Sequence, residues 1–521
     1  MQALYDKFVE SSQAAVVLDG ARLSIEDLED VACRGREVEV PDAAWDAVRR
    51  ARAVVDDVVA RGQVVYGVNT GFGDFAEIVI PPVRLRELQL NLLRSHAAGV
   101  GEPLSEPETR ALMTLRANVL AKGFSGVRPE TLERLVLLIN YGVHPLVPSQ
   151  GSVGASGDLA PLAHLGLALV GEGECRHHGA VRPAADVLQT LGLEPLTLQA
   201  KEGLALINGT QLITAVAALA LVEARRLART ADVIGAMSLD ALRGTDVAFD
   251  PRIHEARAHA GQNASARNLR RLLAASPLHE SHRACGRVQD AYSLRCMPQV
   301  HGAVRDALAY VATTVGVEMN AATDNPMVFA DSAQILSGGN FHGEPVAMAS
   351  DMLAIAAAEL GAISERRTER LVNPALSGLP AFLTRRGGLE SGLMLAQVTA
   401  AALASENKGL AHPASVDSIP TSANKEDHVS MGPIAARKAA RVVANVRRIL
   451  AIELVAACDA VDLLRPLASS AALMAAHARV RQTIAEREGD RALAPDIEKT
   501  AELVRSGAVL SAVEAVCGTL E

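Results

Sequence analysis

The feature that most constrains this fold is the stretch between Pro433 and Pro466, which contains neither glycine nor proline. Apolar side chains recur in it at spacings of three and four residues, namely at Val443, Val446, Leu450, Leu454, Ala457, Val461 and Leu464. This spacing places them on one face of an α-helix, which at 1.5 Å per residue extends over ~48 Å. So long an apolar face is buried best against other long helices, so the sequence predicts a helical bundle.

Two further segments repeat this pattern. One begins at Asn208, and the other follows Pro345 with Met352, Ile355, Ala358 and Ala362 on one stripe before Asn373-Pro374 ends it. Hydrophobic residues make up 49% of the chain but aromatic residues only 3%, so the interior must be built from Ala, Leu, Val and Ile. We therefore expect a mainly α protein, a bundle of long, roughly antiparallel helices.

The N-terminal part has a different pattern. A short strand is predicted over 14–18, and a helix is predicted to begin at Pro41-Asp42 and to run to about Ala60. We expect residues 1–207 to form a mixed, loop-rich region and residues 208–521 to form the long-helix bundle. Because no low-complexity linker separates them, one continuous fold is expected.

Charge and cysteine content exclude several classes of partner. The net charge of -9 comes from 51 basic and 60 acidic residues without a long run of either sign, so neither nucleic acid nor a membrane is expected to bind. The first twenty residues lack a basic start followed by an apolar stretch, which favours a cytoplasmic location. Six scattered cysteines without paired metal-type spacing predict reduced thiols and no metal site.

The segment GSVGASGDLAP at 151–161 carries the most specific signal in the chain. By composition alone it is a tight turn ahead of a helix that starts near Leu159. Ala155-Ser156-Gly157, followed by Asp158-Leu159-Ala160-Pro161, nevertheless resembles the signature of the aromatic amino acid ammonia-lyases and aminomutases. In that family the tripeptide cyclises and dehydrates. The resemblance implies an autocatalytically formed 4-methylidene-imidazol-5-one, with no external cofactor.

The residue types suit this chemistry. The nitrogen of Gly157 must attack the carbonyl of Ala155, which requires a backbone free to bend sharply and no bulky neighbour. Ser156 then loses water and leaves a conjugated electrophile. Such help is needed because the β-hydrogen of an amino acid is barely acidic and its ammonium is a poor leaving group.

Other family motifs follow in the expected order from Tyr66 to Met431. They are YGVNTGFG (66–73), SHAAGVG (95–101), INGTQ (207–211), QDAYSLR (289–295), GGNFHG (338–343) and SANKEDHVSM (422–431). The resemblance implies an L-aspartase/fumarase-like helical core and a small amino acid substrate. It also implies a homotetramer whose active sites are shared between subunits.

The resemblance assigns roles to several side chains. Tyr66 is implied as the base that removes the β-proton, which requires its pKa to lie below the usual value of about 10. Arg295 is implied to grip the substrate carboxylate, and Phe341 to pack on the ring system. Hydrogen bonds that position the substrate and electrophile are implied for Asn208, Gln289 and Tyr292. Taken singly, each residue has a structural alternative as a packed ring, a surface cation or a core side chain.

Two positions indicate the substrate. His96 and Glu426 resemble the histidine branch of the family, where an imidazole requires polar partners. Ala291, Met297, His301 and Lys425 depart from that branch, and the ammonium of Lys425 either pairs with Glu426 or faces solvent. The predicted activity is therefore elimination of ammonia from L-histidine. The alternatives are a phenylalanine or tyrosine ammonia-lyase, an aminomutase, and an inactive helical scaffold.

Overall fold

The computed structural model describes residues 14–283 and 288–521. The chain divides into two compact units, each composed of three stretches. The first unit contains Met1–Leu219, Ala312–Ser350 and Pro413–Arg437, and the second contains Ala220–Val311, Asp351–His412 and Lys438–Glu521. The single boundary at residues 207 and 208 stays a prediction.

The four longest helices of the described chain are those that the apolar spacing predicts, together with one more. They are Gln211–Ala241, Met297–Glu318, Glu344–Val372 and Gly432–Leu463, and each contributes residues to both units. The prediction of a mainly helical fold is confirmed. The other helices and turns of 3-10 type merely connect or flank these four in sequence.

The helices confined to the first unit are Ile25–Arg34, Asp42–Ala60, Leu85–His96, Glu106–Ala121, Pro129–Asn140, Ala160–Leu169, Ala184–Thr190 and Glu202–Ile207. Those confined to the second unit are Pro251–Glu255, Ala260–Leu273, Pro277–Glu280, Tyr292–Arg295, Pro374–Ser377, Met394–Leu410, Ala471–Arg481, Ala494–Arg505 and Ala508–Cys517. The 3-10 turns are Gly73–Phe75, Pro82–Arg84, Val247–Phe249, Ala330–Ser332, Ala381–Leu383 and Ser422–Asn424.

The strands of the described residues are short and all lie in the first unit. Val16–Val17 pairs in parallel with Val38–Glu39, and the antiparallel partners of Val100–Pro103 and Met327–Phe329 are Pro148–Gln150 and Gln334–Leu336. A further sheet has three strands, which lie side by side in the order His144–Pro145, Glu174–His177 and Ala180–Pro183. The predicted N-terminal strand and the helix up to Ala60 are both confirmed.

In the second unit, small side chains let long helices approach closely. A Cβ added to Gly361 of the Glu344–Val372 helix would lie 3.1 Å from Val446 and 3.2 Å from Ile449. The predicted stripe of the Gly432–Leu463 helix is buried, with no residue from Val443 to Val461 on that stripe more than 2% exposed. These two helices therefore both contribute to the core of this unit.

The stripe predicted on the Glu344–Val372 helix is not the face that the chain buries. Met352 and Ile355 are each 40% exposed, whereas Leu353, Ala357 and Leu360 are at most 2% exposed. The prediction of a single buried stripe is wrong here because the helix is apolar on two faces. One of these faces has no partner within the described part of the chain.

A buried ion pair joins the helices of the second unit. The carboxylate of Glu453 accepts from Arg367 Nε at 2.5 Å and Nη2 at 2.9 Å, and also from the hydroxyls of Ser238 and Ser364 at 2.7 and 2.5 Å. Both charged side chains are fully buried. All four acceptor sites of the carboxylate are thus occupied, as a charge in a protein interior requires.

The Glu344–Val372 helix is long and apolar enough to cross a membrane, and 67% of its most apolar window is buried. A core helix meets the same criteria, so this is weak evidence for a membrane span. Within the described residues, free thiols are found at Cys175, Cys296, Cys458 and Cys517. Cys285 lies outside these residues.

Candidate active site

The tripeptide lies in a loop between the strand Pro148–Gln150 and the helix Ala160–Leu169. Gly157 has a φ of +73°, and a Cβ added to it would lie 2.1 Å from the carbonyl oxygen of Gly209. Only glycine fits so close to another backbone in this conformation. The requirement for glycine that the cyclisation chemistry imposes is therefore also imposed by packing.

The turn at Asn208-Gly209 supports the tripeptide. Asn208 follows the helix Glu202–Ile207, and its Nδ2 donates to the carbonyl of Ser156 at 3.2 Å. The amide of Asp158 donates to the carbonyl of Gly209 at 2.8 Å. The Oδ1 atom of Asn208 is buried and accepts no hydrogen bond from the described residues. It is an available acceptor beside the tripeptide.

Asp158 anchors the other side of this turn. Its Oδ2 accepts from the amide of Leu212 at 2.6 Å, at the start of the Gln211–Ala241 helix. Burial raises the pKa of Asp158 to about 8, against the lowering effect of the backbone amides of Leu212 and Ile213. The residue after the tripeptide is therefore held in a dry interior.

Glu426 faces Ser156 across the loop. Its Oε1 accepts from the Ser156 hydroxyl at 3.0 Å, and its Oε2 accepts from the hydroxyls of Thr421 and Ser422, both at 2.7 Å. Lys425 is exposed and forms no ion pair in the described part of the chain. Of the two expectations for Lys425, the structure supports the solvent-facing one.

A strained turn presents Glu426. Ser422, Ala423 and Asn424 have φ values of +49°, +54° and +66°. Residues other than Gly and Asn rarely adopt this left-handed backbone conformation. The backbone of Thr421 closes the turn by pairing with Glu426. Such strain persists only where surrounding contacts enforce it, and here the carboxylate of Glu426 supplies two of those contacts.

His96 is the last residue of the helix Leu85–His96. Its Nδ1 lies 2.9 Å from the carbonyl of Leu92, and because a carbonyl only accepts, Nδ1 must donate. Burial lowers the pKa of His96, against smaller opposing effects of this hydrogen bond and of the Glu426 charge. The imidazole is thus neutral at pH 7, and Nε2 is left as an acceptor.

Tyr66 lies in the loop that follows the helix Asp42–Ala60. Burial raises the pKa of its phenol, and the charge of Glu426 raises it further, while a hydrogen bond from the backbone of Gly73 lowers it. The lowered pKa that a base requires is therefore not produced by the residues of this unit.

Phe341 is half-buried in the turn before the Glu344–Val372 helix. The neighbouring His342 stacks on His428, with ring centroids 5.8 Å apart, and its Nε2 lies 3.3 Å from the backbone carbonyl of His428. The side chains of His342, Glu344 and His428 have potential ligand atoms within 4.8 Å of one another. Both ring nitrogens of His342 already have backbone partners. We therefore interpret this cluster as a structural contact that joins the loop of His342 to the loop of His428.

The remaining predicted residues form a separate group in the second unit. Gln289 is exposed, and Tyr292 is 71% exposed at the start of the short helix Tyr292–Arg295. The guanidinium of Arg295 lies over the Tyr292 ring at 4.9 Å from its centroid, a cation-π contact. In one chain Gln289 and Tyr292 present polar groups to solvent, whereas the Nε atom of Arg295 is buried and has no hydrogen-bond partner among the described residues.

The first unit thus brings together Tyr66, His96, Ser156, Asn208 and Glu426. Sequence reasoning missed residues that hold this group in place. Thr421 and Ser422 precede Glu426 by five and four residues, so their proximity to it was a usable signal. Arg116 carried no such signal, although it donates to the carbonyl of Asn208 at 2.9 Å.

Comparisons with known proteins identify the family of the chain. Residues 23–482 match the family model described as aromatic amino acid lyase. Proteins named histidine ammonia-lyase from Koribacter versatilis and Gloeobacter violaceus are each 55% identical, with 96% and 97% of this chain and 99% of each relative covered.

Solved structures give the same result. A histidine ammonia-lyase from Trypanosoma cruzi has a TM-score of 0.90 at 50% identity, with 96% of this chain and 95% of that chain covered. A tyrosine aminomutase from Streptomyces globisporus has a TM-score of 0.92 at 39% identity, with 96% and 99% covered. The match over most of the chain and the tripeptide site lead to one conclusion: the chain belongs to the aromatic amino acid lyase family, whose ammonia-lyases cleave carbon-nitrogen bonds.

Proposed function

We propose that this protein eliminates ammonia from L-histidine and releases urocanate. The observation that carries the proposal is the placement of the Glu426 carboxylate, 3.0 Å from the hydroxyl of Ser156. An imidazole offers an N–H that a carboxylate accepts strongly, whereas a phenyl ring offers no donor. The relatives named histidine ammonia-lyase support the same substrate.

His96 strengthens the preference for an imidazole. Its Nδ1 is committed to the carbonyl of Leu92, so the neutral ring presents Nε2 as a second acceptor near the Glu426 charge. A phenylalanine ring would leave both of these acceptors without a partner, and leaving acceptors of a binding site unpaired reduces binding strongly.

The electrophile is proposed to be a methylidene-imidazolone made from Ala155, Ser156 and Gly157. The chain fits this group, because the contact between Gly157 and Gly209 admits no side chain and Asn208 donates to the carbonyl of Ser156. When formed, the group supplies the covalent help that an ammonium leaving group requires. No external cofactor is part of the proposal.

The other residues bind the substrate and move its proton. Tyr66 would accept the proton from the β-carbon as the bond between the α-carbon and nitrogen breaks. Asn208 Oδ1 is a buried acceptor suited to the substrate ammonium. Arg295 would grip the carboxylate, Gln289 and Tyr292 would donate to the bound molecule, and Phe341 would wall the ring.

A homotetramer with shared sites is proposed on two observations. Tyr292 is 71% exposed in one chain, although the family motif places it among substrate contacts. The Glu344–Val372 helix also leaves Met348, Met352 and Ile355 at least 40% exposed, and an apolar face of this kind marks an interface. A cytoplasmic location is proposed because Cys175, Cys296, Cys458 and Cys517 are free thiols.

A substrate panel tests the activity. The purified protein and Ser156→Ala are mixed separately with histidine, phenylalanine and tyrosine, and product absorbance is followed. We expect urocanate from histidine with the wild-type chain and none with the variant. Cinnamate, coumarate or a β-amino acid without urocanate would transfer the assignment to another branch, and no product from any substrate would support an inactive scaffold.

A further inference from the structure

The guanidinium of Arg116 lies directly beneath the turn that supports the tripeptide. Arg116 is fully buried in the helix Glu106–Ala121. Its Nη1 donates to the carbonyl of Asn208 at 2.9 Å and to Oε1 of Gln211 at 2.5 Å, and its Nη2 donates to the carbonyl of Ala205. These hydrogen bonds fix both ends of the Asn208-Gly209 turn.

Among the described residues, no carboxylate is a direct hydrogen-bond partner of this cation. Burial lowers its pKa to about 10, while the charges of Asp324 and Asp158 act in the opposite direction. Asp324 is itself paired with Lys201 at 3.1 Å. A buried charge held by neutral oxygens is costly to the fold, so stability alone does not account for an arginine at this position.

The groups packed around Arg116 leave the Asn208-Gly209 turn little room to move. A Cβ added to Gly209 would lie 2.5 Å from Gln211 Oε1 and 2.7 Å from Arg116 Nη1. Above it, the carbonyl of Gly209 accepts from Asp158, and the side chain of Asn208 donates to the carbonyl of Ser156. The guanidinium is thus two contacts away from the backbone of the tripeptide.

We propose that Arg116 is a positioning residue for closure of the tripeptide ring. In that reaction, which rests on the proposed function, a bond forms between the nitrogen of Gly157 and the carbonyl carbon of Ala155. The carbonyl oxygen leaves as water with the amide protons of Gly157 and Ser156. A second water takes the hydroxyl of Ser156 and its α-proton, so the chain loses two waters and needs no oxidant.

The physical basis is conformational. The attacking nitrogen and the carbonyl carbon react only when they are held in a near-attack geometry. Arg116 provides a rigid planar fork that holds the backbone carbonyls of Asn208 and Ala205 and the side-chain amide oxygen of Gln211 simultaneously. A lysine keeps the charge but not the fork, so it distinguishes the geometric contribution from the charge.

Arg110 offers a matched control. It lies in the same helix, is 6% exposed, and donates to the backbone carbonyls of Val31 and Arg36 at 2.5 and 3.1 Å. Arg110→Lys and Arg116→Lys therefore make the same chemical change at buried sites, only one of which contacts the Asn208-Gly209 turn. Arg116→Met additionally removes the charge.

The experiment follows the mass of the peptide containing residues 151–161 during cell-free synthesis of the full chain. We expect loss of two waters at equal rates in the wild type and Arg110→Lys, at least tenfold slower loss in Arg116→Lys, and none in Arg116→Met. Circular dichroism verifies folding, and the lysine pair decides the question if Arg116→Met does not fold.

Three outcomes are informative. Equal rates of water loss in folded Arg116→Lys and wild type would overturn the proposal for Arg116 and leave the proposed function intact. An unmodified peptide in the wild type would refute the electrophile itself. Slowing by the same factor in Arg110→Lys would show a general effect of buried arginine, which also overturns the proposal.

Discussion

Replacing Glu426 by Gln tests the recognition of imidazole most directly. The variant keeps the shape of the side chain, and its amide oxygen can still accept from the hydroxyls of Thr421 and Ser422. The group facing Ser156 then becomes an NH₂, which cannot accept a hydrogen bond from the imidazole N–H of the substrate. The local fold is retained while the proposed acceptor for the substrate is lost.

The size of the effect follows from the charge on this acceptor. A hydrogen bond to a charged group contributes about 1.5–3 kcal/mol, and each 1.4 kcal/mol corresponds to about tenfold. We therefore expect kcat/KM for histidine to fall about 10- to 100-fold. Activity towards phenylalanine, if measurable, should not fall, because a phenyl ring makes no such bond.

The assay is the initial rate of urocanate formation over a range of histidine concentrations. Asp427→Asn is the control, because it removes an adjacent carboxylate that is exposed. Peptide mass across 151–161 verifies that the tripeptide is processed equally in all three proteins. If fully processed Glu426→Gln retains kcat/KM within twofold of wild type, or Asp427→Asn loses as much activity, the reasoning is refuted.

Three further predictions concern the base, the core and the turn. Because burial raises the pKa of Tyr66, kcat/KM should increase with pH from neutral into the alkaline range with a slope of about one, and Tyr66→Phe should abolish this dependence; a wild-type profile already flat at pH 7 would contradict it. Glu453→Gln leaves Arg367 buried without its counter-charge, so urea unfolding should show a loss of about 3–5 kcal/mol, and a loss below about 1 kcal/mol would count against the argument. Gly209→Ala places a Cβ 2.5 Å from an oxygen of Gln211 and should leave the tripeptide unprocessed by mass; normal processing would show that the turn can shift.

Much of the helical fold was predictable because apolar spacing reports directly which residues can share a helix face. The long helix predicted between Pro433 and Pro466 is observed as Gly432–Leu463. The face that a doubly apolar helix buries was not predictable, as Met352 and Ile355 show. Spacing indicates that a face is apolar, but only the tertiary arrangement determines what covers it.

The candidate site was likewise predictable only in part. Ser156 belongs to a motif specific enough to identify from the sequence, whereas Asn208 and Glu426 were identified from the joint order of weaker motifs; the structure places both in contact with Ser156. Arg116 was not identifiable, because a lone arginine in a helix is usually solvent-exposed, whereas the helix Glu106–Ala121 buries thirteen consecutive residues from Thr109 to Ala121. The electrostatic environment of Tyr66 likewise depends on Glu426, which lies 360 residues away in the chain.

The left-handed turn at Ser422–Asn424 has a consequence for engineering. A glycine at Ala423 would relieve a conformation that costs about 1 kcal/mol or more for a residue with a side chain, so a search for heat-resistant variants would select it. The same change would widen the range of positions available to Glu426, whose carboxylate depends on the turn for two hydroxyl contacts. With the role proposed for Glu426, we expect thermal tolerance and discrimination between aromatic rings to be coupled through one backbone torsion, so that improving the first independently requires substitutions elsewhere in the chain.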